Sequence, residues 1–165
     1  ANLSNQRADL VEEGYDLAIR IGKLSDSSMM AKKIAQRTSY ACASPSYLGK
    51  YGTPHSLSEL SKHKCLLGTL DHWRFREAGK EKSIRITGGI RYNSGLGLVD
   101  AALKGLGVVH LPDYYVTQHI KSGNLITILD KYREPEESIW AIYPQNRHLS
   151  AKIRLLVDYL NAHLN

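Results

Sequence analysis

The stretch from Asn93 to Gly107, NSGLGLVDAALKGLG, has glycines at almost the spacing of a nucleotide-binding turn. A dinucleotide fingerprint needs three glycines after a strand, because the backbone must approach a pyrophosphate closely where a helix begins. Here Gly95 and Gly97 are followed by Asp100 at the position of the third glycine. A carboxylate there does not permit close helix-to-strand packing beside a pyrophosphate, so the sequence argues against nucleotide binding.

The start of this helix is nevertheless suited to an anion. Asn93 and Ser94 stand where the helix is predicted to begin. The unpaired backbone N–H groups and the partial positive charge of a helix N-terminus favour a carboxylate or another anion. The Ser94 hydroxyl is equally suited to capping its own helix. Both interpretations stay open at the level of the sequence.

Arg20 is a charged residue in an otherwise apolar strand, next to Gly22. A charge in such a position needs a partner, because burying it unpaired is costly. The partner could be the carboxylate of a ligand. Alternation along the strand also permits an ordinary ion pair at the strand's edge, with Asp16 or Glu13.

The histidines and cysteines do not form a recognisable metal or catalytic pattern. His55, His63, Cys65 and His72 lie close in sequence, but their spacing matches neither C-x-x-C nor H-E-x-x-H. Cys42 has no adjacent histidine or second cysteine, which favours a buried thiol over an oxidant sensor. The sequence has no G-x-S-x-G turn and no recognisable pair of catalytic carboxylates. We therefore predict no metal, no cofactor and no enzymatic activity.

Composition indicates an ordinary globular chain. Its 165 residues, 42% hydrophobic and 8% aromatic, suffice for one domain or two small lobes. The net charge of +6 comes from scattered basic residues with acidic ones between them, which indicates a solvated surface rather than a nucleic-acid site. Two isolated cysteines, no long apolar run and no secretory signal at the start favour a cytoplasmic protein without membrane contact.

Segments with strand and helix periodicity alternate along the chain, as in an α/β domain. Strand-type segments are YDLAIRI, MMAKKIAQRTSYACAS (two strands), KCLLGTL, WRFREAG, KSIRITGGIRYN, GVVHLP, LITIL and SIWAIYP. Helical segments are ADLVEEG, SPSYLGKYG, GLGLVDAALKG, PDYYVTQHIKSG and LSAKIRLLVDYLNAHL. Ser44 with Pro45 and Ser150 are predicted helix starts, whereas Gly14, Gly105 and Gly123 are predicted ends.

The periodicity also predicts which side chains are buried. Leu96, Val99 and Leu103 should pack the helix that follows Ser94, and Trp73 and Phe75 should belong to the core. The last helix should bury one stripe against strands from the beginning of the chain; that stripe comprises Ile153, Leu156, Val157 and Leu160.

Several stretches resemble the effector-binding domain of LysR-type transcriptional regulators. They are DLVEEGYDLAIRIG, ACASPSYLGKYGTPHSLSELSKHKCL, AALKGLGVVHLPDYYV and YPQNRHLSAKIRLLVDYL, in the family's order and spacing over nearly the whole chain. The resemblance implies an α/β fold of the type 2 periplasmic-binding-protein kind. In that fold two α/β lobes are joined by two crossing strands, and a small molecule binds in the cleft between the lobes.

The resemblance also implies a division of the chain. Residues 1–41 and 142–165 would form lobe I and residues 42–141 lobe II, with hinge strands near Tyr40–Ala43 and Ile139–Tyr143. Family members carry a winged helix-turn-helix, a linker helix, and a first strand and helix of the domain before the point that matches Ala1. We therefore expect the chain to be part of a longer regulator.

From the resemblance we expect the cleft to bind a small, anionic metabolite. The expected effector-binding positions are Ser4, Asn5, Arg20, Ile21, Gly22, Tyr40, Asn93, Ser94 and Gly95. The expected assembly is a homodimer or tetramer that contacts DNA only through a domain absent from this chain. The alternative function is that of a solute-binding protein of a transporter with the same fold.

Overall fold

A computed structural model describes residues 14–24, 29–87, 89–144 and 150–164. The predicted effector positions Ser4 and Asn5, and the helical turn before Gly14, lie outside these residues. The chain divides into two compact units: unit 1 comprises residues 1–37 and 137–165, and unit 2 comprises residues 38–136. The predicted lobe boundaries at residues 41 and 141 lie a few positions further along the chain, and the assignment of lobes and hinge strands stays a prediction.

The order of elements is that of an α/β protein. The strands are β1 (Ala18–Ile21), β2 (Met29–Arg37), β3 (Ser39–Ala43), β4 (His72–Glu77), β5 (Lys80–Arg85), β6 (Val109–Pro112), β7 (Ile126–Ile128) and β8 (Glu137–Pro144). The helices are α1 (Pro45–Tyr51), α2 (Gly95–Leu103), α3 (Asp113–Lys121) and α4 (Ala151–His163). Short 3₁₀ helices cover Leu57–Lys62 and Asp130–Tyr132.

Unit 1 is built on a three-stranded antiparallel sheet with the order β1-β8-β2. Helix α4 packs on β2, which confirms that the last helix joins strands from the beginning of the chain. The small core is formed by Ile34, Ala141 and Val157, which are buried together. A bulge between Lys33 and Ala35 interrupts the register of β2 with β8.

Helix α4 begins as predicted, because the Ser150 hydroxyl accepts a hydrogen bond from the backbone N–H of Ile153 at 3.4 Å. Val157 is buried, and Ile153 and Leu160 pack beside it. Leu156 is 44% exposed, so its place in the buried stripe was predicted wrongly. Among the described residues, the packing of α4 is centred on Val157 rather than on Leu156.

Unit 2 is built on a second three-stranded antiparallel sheet with the order β6-β3-β7. Side chains alternate between its two faces, as strand geometry requires. On one face Cys42, Val109 and Leu111 are buried in a cluster with α2 and α3; we call this the helical face. On the opposite face Ala41 and Ala43 are buried in a different cluster.

The opposite face is covered by α1, the Leu57–Lys62 3₁₀ helix and the β4–β5 hairpin; we call it the hairpin face. Trp73 and Phe75 of β4 are 4% and 2% exposed, which confirms that they belong to the core. The segment KCLLGTL was predicted as a strand, but it makes only isolated bridges at Cys65 and Leu67. Three consecutive residues, 65–67, are buried there. The segment is therefore a buried connection that contributes to both core clusters, rather than a strand with one exposed side.

The predicted caps of two unit 2 helices are confirmed. At α1 the Ser44 hydroxyl accepts from the backbone N–H of Tyr47 at 3.3 Å, with Pro45 as the first helical residue. At the end of α2, Gly105 has a φ of +73°. Its N–H donates to the carbonyl of Ala102, and the next N–H donates to Ala101, which together form a Schellman motif.

Candidate functional site

The start of α2 presents two exposed polar residues, Asn93 and Ser94. The Ser94 hydroxyl accepts a hydrogen bond from the backbone N–H of Gly97 at 3.5 Å, at the long end of hydrogen-bond distances. Its carbonyl accepts from Leu98 N–H at 3.1 Å. Ser94 therefore caps its own helix, and the exposed position of the cap leaves room for a ligand at the same helix end.

Gly95 is explained by packing rather than by a turn. Its φ lies outside the left-handed region, so the backbone conformation does not demand glycine. A Cβ at this position would lie 2.4 Å from the ring carbon Cζ of Tyr115 on α3. The glycine therefore allows the Tyr115 ring to pack against the first turn of α2. Sequence analysis missed Tyr115, because nothing in the spacing connects the two positions.

The side of α2 that packs on the sheet differs from the prediction. Leu96 is 70% exposed, so its predicted docking role was wrong. Val99 is buried and Leu103 partly buried, as predicted. Leu98 and Ala102, one turn apart, complete the buried stripe. The stripe is centred on Leu98 and Ala102 because α2 contacts α3 as well as β3 and β6, which helical spacing alone does not reveal.

Tyr40 on β3 packs against the core of the helical face and also meets a cation. The guanidinium carbon of Arg133 lies 4.2 Å from the centroid of the Tyr40 ring. Arg133 also pairs with Asp130, and its buried Nε has no hydrogen-bond partner among the described residues. Sequence analysis missed Arg133, because it lies in a polar connection where neighbouring charges hide it.

In unit 1, Arg20, Ile21 and Gly22 lie at the end of β1, paired with β8. Arg20 is half-buried and stands opposite Trp140 in the ladder, whereas Ile21 is 47% exposed. Gly22 has a φ of +92°, and its carbonyl accepts a hydrogen bond of 2.9 Å from the Trp140 indole Nε1. The indole therefore fixes the backbone at the end of the strand.

Beside Gly22, the chain leaves unit 1 after residue 37 and returns to it at residue 137. Arg37 at the end of β2 pairs in the ladder with Glu137 at the start of β8. Its Nε and one terminal nitrogen both donate to Glu137 Oε2, at 3.2 and 3.0 Å. Both side chains are 19% exposed, so the ion pair is largely shielded from water. The spacing in sequence gave no hint of this pair.

The structure thus places the described effector positions in two groups. Arg20, Ile21 and Gly22 belong to unit 1, whereas Tyr40 and the start of α2 belong to unit 2. Within unit 2, Tyr40 and Tyr115 pack against the same core cluster, and Tyr115 in turn contacts the start of α2. That both groups contact one ligand stays a prediction.

The cysteines are buried thiols rather than reactive groups. Burial raises the pKa of Cys42 and of Cys65 to about 12 each. Over the ranges that the structure describes, three or more His, Cys, Asp or Glu side chains nowhere gather in a way that could hold a metal ion. Over the same ranges, no helix combines the length and hydrophobicity needed to cross a membrane.

Comparison with known proteins gives the family. The model of the LysR substrate binding domain matches residues 1–165. The HTH-type transcriptional activator TtdR of Escherichia coli is 33% identical over 97% of this chain and 53% of its own length. The chain thus spans about half the length of the curated relatives that it matches.

Solved structures agree with this match. The regulatory domain of AphB from Vibrio vulnificus is 28% identical, with a TM-score of 0.81 over 98% of this chain and 81% of that one. The regulatory domain of CrgA from Neisseria meningitidis is 31% identical, with a TM-score of 0.76 over 94% and 78% of the two chains. It is described as a LysR-type transcriptional regulator.

The fold and these matches define an effector-binding regulatory domain with the type 2 periplasmic-binding-protein-like α/β fold. The chain belongs to the family of LysR substrate-binding domains. Its relatives are transcriptional regulators rather than transport proteins, so the solute-binding alternative is not favoured.

Proposed function

We propose that this domain binds a small anionic metabolite and thereby regulates transcription by a LysR-type regulator of which it is part. The family match over residues 1–165 carries the proposal. In unit 2 an anion is favoured by the exposed start of α2 and by the guanidinium of Arg133 stacked on Tyr40. In unit 1 it is favoured by Arg20 at the end of β1.

The proposed effector site combines these two groups. Ser4, Asn5, Arg20, Ile21 and Gly22 would contact the effector from unit 1. The remaining expected positions, Tyr40, Asn93, Ser94 and Gly95, would contact it from unit 2, and Arg133 joins them as a further cation. A metabolite carboxylate would accept hydrogen bonds from the N–H groups at the start of α2 and from the Arg20 guanidinium.

Regulation follows from differential affinity. An effector shifts the equilibrium between two arrangements of the regulator only to the extent that it binds one of them more tightly. We propose that the domain assembles as a homodimer or tetramer and that DNA is contacted by another domain of the regulator. The regulator would act in the cytoplasm, and the domain would have no catalytic role.

A thermal-shift screen of carboxylate metabolites tests this proposal. At a ligand concentration of 100 times Kd the free energy of unfolding rises by about 2.7 kcal/mol, which raises Tm by roughly 5 to 10 °C. Arg20→Ala and Ser94→Ala should each reduce the shift without abolishing folding. The control Arg154→Ala changes an exposed cation on α4 and should retain the full shift. If no carboxylate stabilises the chain, the effector is not an anion.

A further inference from the structure

We propose that unit 2 has an additional ligand site for a short aliphatic carboxylic acid, in a pocket on its hairpin face. The pocket lies between the Leu57–Lys62 3₁₀ helix and β5 and has a volume of about 280 Å³. That volume is just below the range of about 300 to 1,000 Å³ typical of small-molecule pockets. It therefore suits a compact ligand rather than a nucleotide or a peptide.

The floor of the pocket is apolar and aliphatic. Leu57, Leu60, Cys65 and Ile86 line it and are between 2% and 6% exposed. Ile84 of β5 is partly buried beside them. No aromatic ring other than the His63 imidazole is among the lining residues, so a branched alkyl group is the best complement to this surface. Removing such a group from water favours binding in proportion to its apolar area.

The rim of the pocket supplies cations. Lys82 and Arg85 line it from β5. Lys82 pairs with Glu77, and Arg85 Nε lies 3.4 Å from Asp71 Oδ2. A guanidinium has five N–H donors, so Arg85 can pair with Asp71 and still offer donors to a ligand. No Asp or Glu is among the residues that line the pocket, so the carboxylates that pair with its two cations lie outside the lining.

His63 adds a polar ring to the same pocket. The Tyr47 hydroxyl accepts from Lys64 N–H at 2.8 Å and lies 3.2 Å from His63 Nδ1. Either atom can be the donor in the contact between Tyr47 and His63, because the tautomer of the ring decides the direction. Burial lowers the pKa of His63, which keeps the ring neutral at neutral pH. Nε2 has no hydrogen-bond partner among the described residues, so it is the ring atom that could contact a ligand.

This pocket is separate from the effector positions of unit 2. Its floor residues Leu57, Leu60 and Cys65 belong to the core of the hairpin face. Tyr40 and the buried side of α2 belong to the core of the helical face, across the sheet. A ligand here would link the 3₁₀ helix to the β4–β5 hairpin without contacting the start of α2.

Titration of the ¹⁵N-labelled chain with 4-methylpentanoate tests the site. We expect the largest amide shifts in residues 57–65 and 82–87. The amide analogue, 4-methylpentanamide, has nearly the same shape without the charge and should bind about tenfold more weakly, as expected for the loss of one charge-assisted hydrogen bond.

The double variant Lys82→Gln/Arg85→Gln should weaken binding of the acid about tenfold and leave binding of the amide unchanged. The matched control is Lys80→Gln, which neutralises a cation of the same hairpin that does not line the pocket. It should bind both probes as the parent chain does. Ile84→Phe should fill the pocket and abolish the binding of both probes.

This site would be overturned by the absence of amide shifts with the acid, by shifts centred on Asn93–Gly97, or by equal losses in the double variant and in Lys80→Gln. Ser94→Ala separates this site from the proposed effector site, because it should leave the titration with 4-methylpentanoate unchanged. Loss of binding in Ser94→Ala would assign the acid to α2 and overturn the pocket.

Discussion

Gly95 shows that a single residue can be required by a neighbour far along the chain. In the sequence it stands in a glycine pattern that suggests a ligand or a turn. In the structure the ring of Tyr115 packs against Gly95 and occupies the space that a Cβ would need. No sequence pattern encodes such a contact, because it depends on how α2 and α3 pack.

Gly95→Ala should therefore destabilise the chain, by about 1 to 3 kcal/mol in the free energy of unfolding, because the new methyl group overpacks the contact with Tyr115. The control is Gly49→Ala in α1, where a Cβ would have no neighbour within 4 Å. That change should stabilise by about 0.5 to 1 kcal/mol, since alanine is the better helix former. Urea unfolding of both variants measures the difference. Equal effects would show that the Tyr115 contact is unimportant.

At the scale of elements, the sequence predicts well which helices exist and where they begin and end. It predicts less well which side of each helix is buried. Caps such as Ser44, Ser150 and Gly105 are local, so the sequence suffices to place them. Leu96 and Leu156 were assigned to buried stripes from their spacing, yet both are exposed. Spacing defines a set of sides that a helix can bury, whereas the width of the sheet and the neighbouring helices decide which one is covered.

The prediction of the candidate site had a similar limit, because it found local signals but not contacts between residues distant in sequence. The start of α2 and the end of β1 could be identified because a cap and a charge in an apolar strand are local signals. Tyr115, Arg133 and the Arg37 ion pair could not be identified, because each acquires its role only through a partner distant in sequence.

The start of α2 yields a prediction about capping. Ser94→Ala should lower the free energy of unfolding by about 1 kcal/mol, since it removes the side-chain acceptor of Gly97 N–H. Ser94→Gly should cost only a few tenths of a kcal/mol, because glycine is also accepted at this position. Chemical denaturation without ligand separates the two. If Ser94→Ala is neutral, the hydroxyl does not contribute to capping and its value lies in ligand contact alone.

At the scale of the whole molecule, the described residues form a larger core in unit 2 than in unit 1. Unit 2 is one continuous segment with an apolar cluster on each face of its sheet. Unit 1 comes from two separated segments, and its described core centres on Ile34, Ala141 and Val157. Hydrophobic burial is the main favourable term in folding, and among the described residues most of it lies in unit 2.

We expect the segment 38–136 to fold by itself, since both of its clusters are formed entirely within it. Expressed alone, it should show a cooperative thermal transition by circular dichroism and dispersed amide resonances. A covalent join of residues 1–37 to 137–165 is the control and should lack a cooperative transition, because the core formed by its described residues is small. The reverse outcome would show that unit 1 carries the stability of the chain.

The pairing of Arg37 with Glu137 in the ladder between β2 and β8 has a consequence for the order of folding. These residues are 100 positions apart in the chain, so pairing β2 with β8 in an unfolded chain requires closing a long loop. If the intervening segment folds first, its two ends are already neighbours, and most of that entropic cost is removed. Strand pairing in unit 1 should then follow quickly, with the rate of the slow step set by the segment between them.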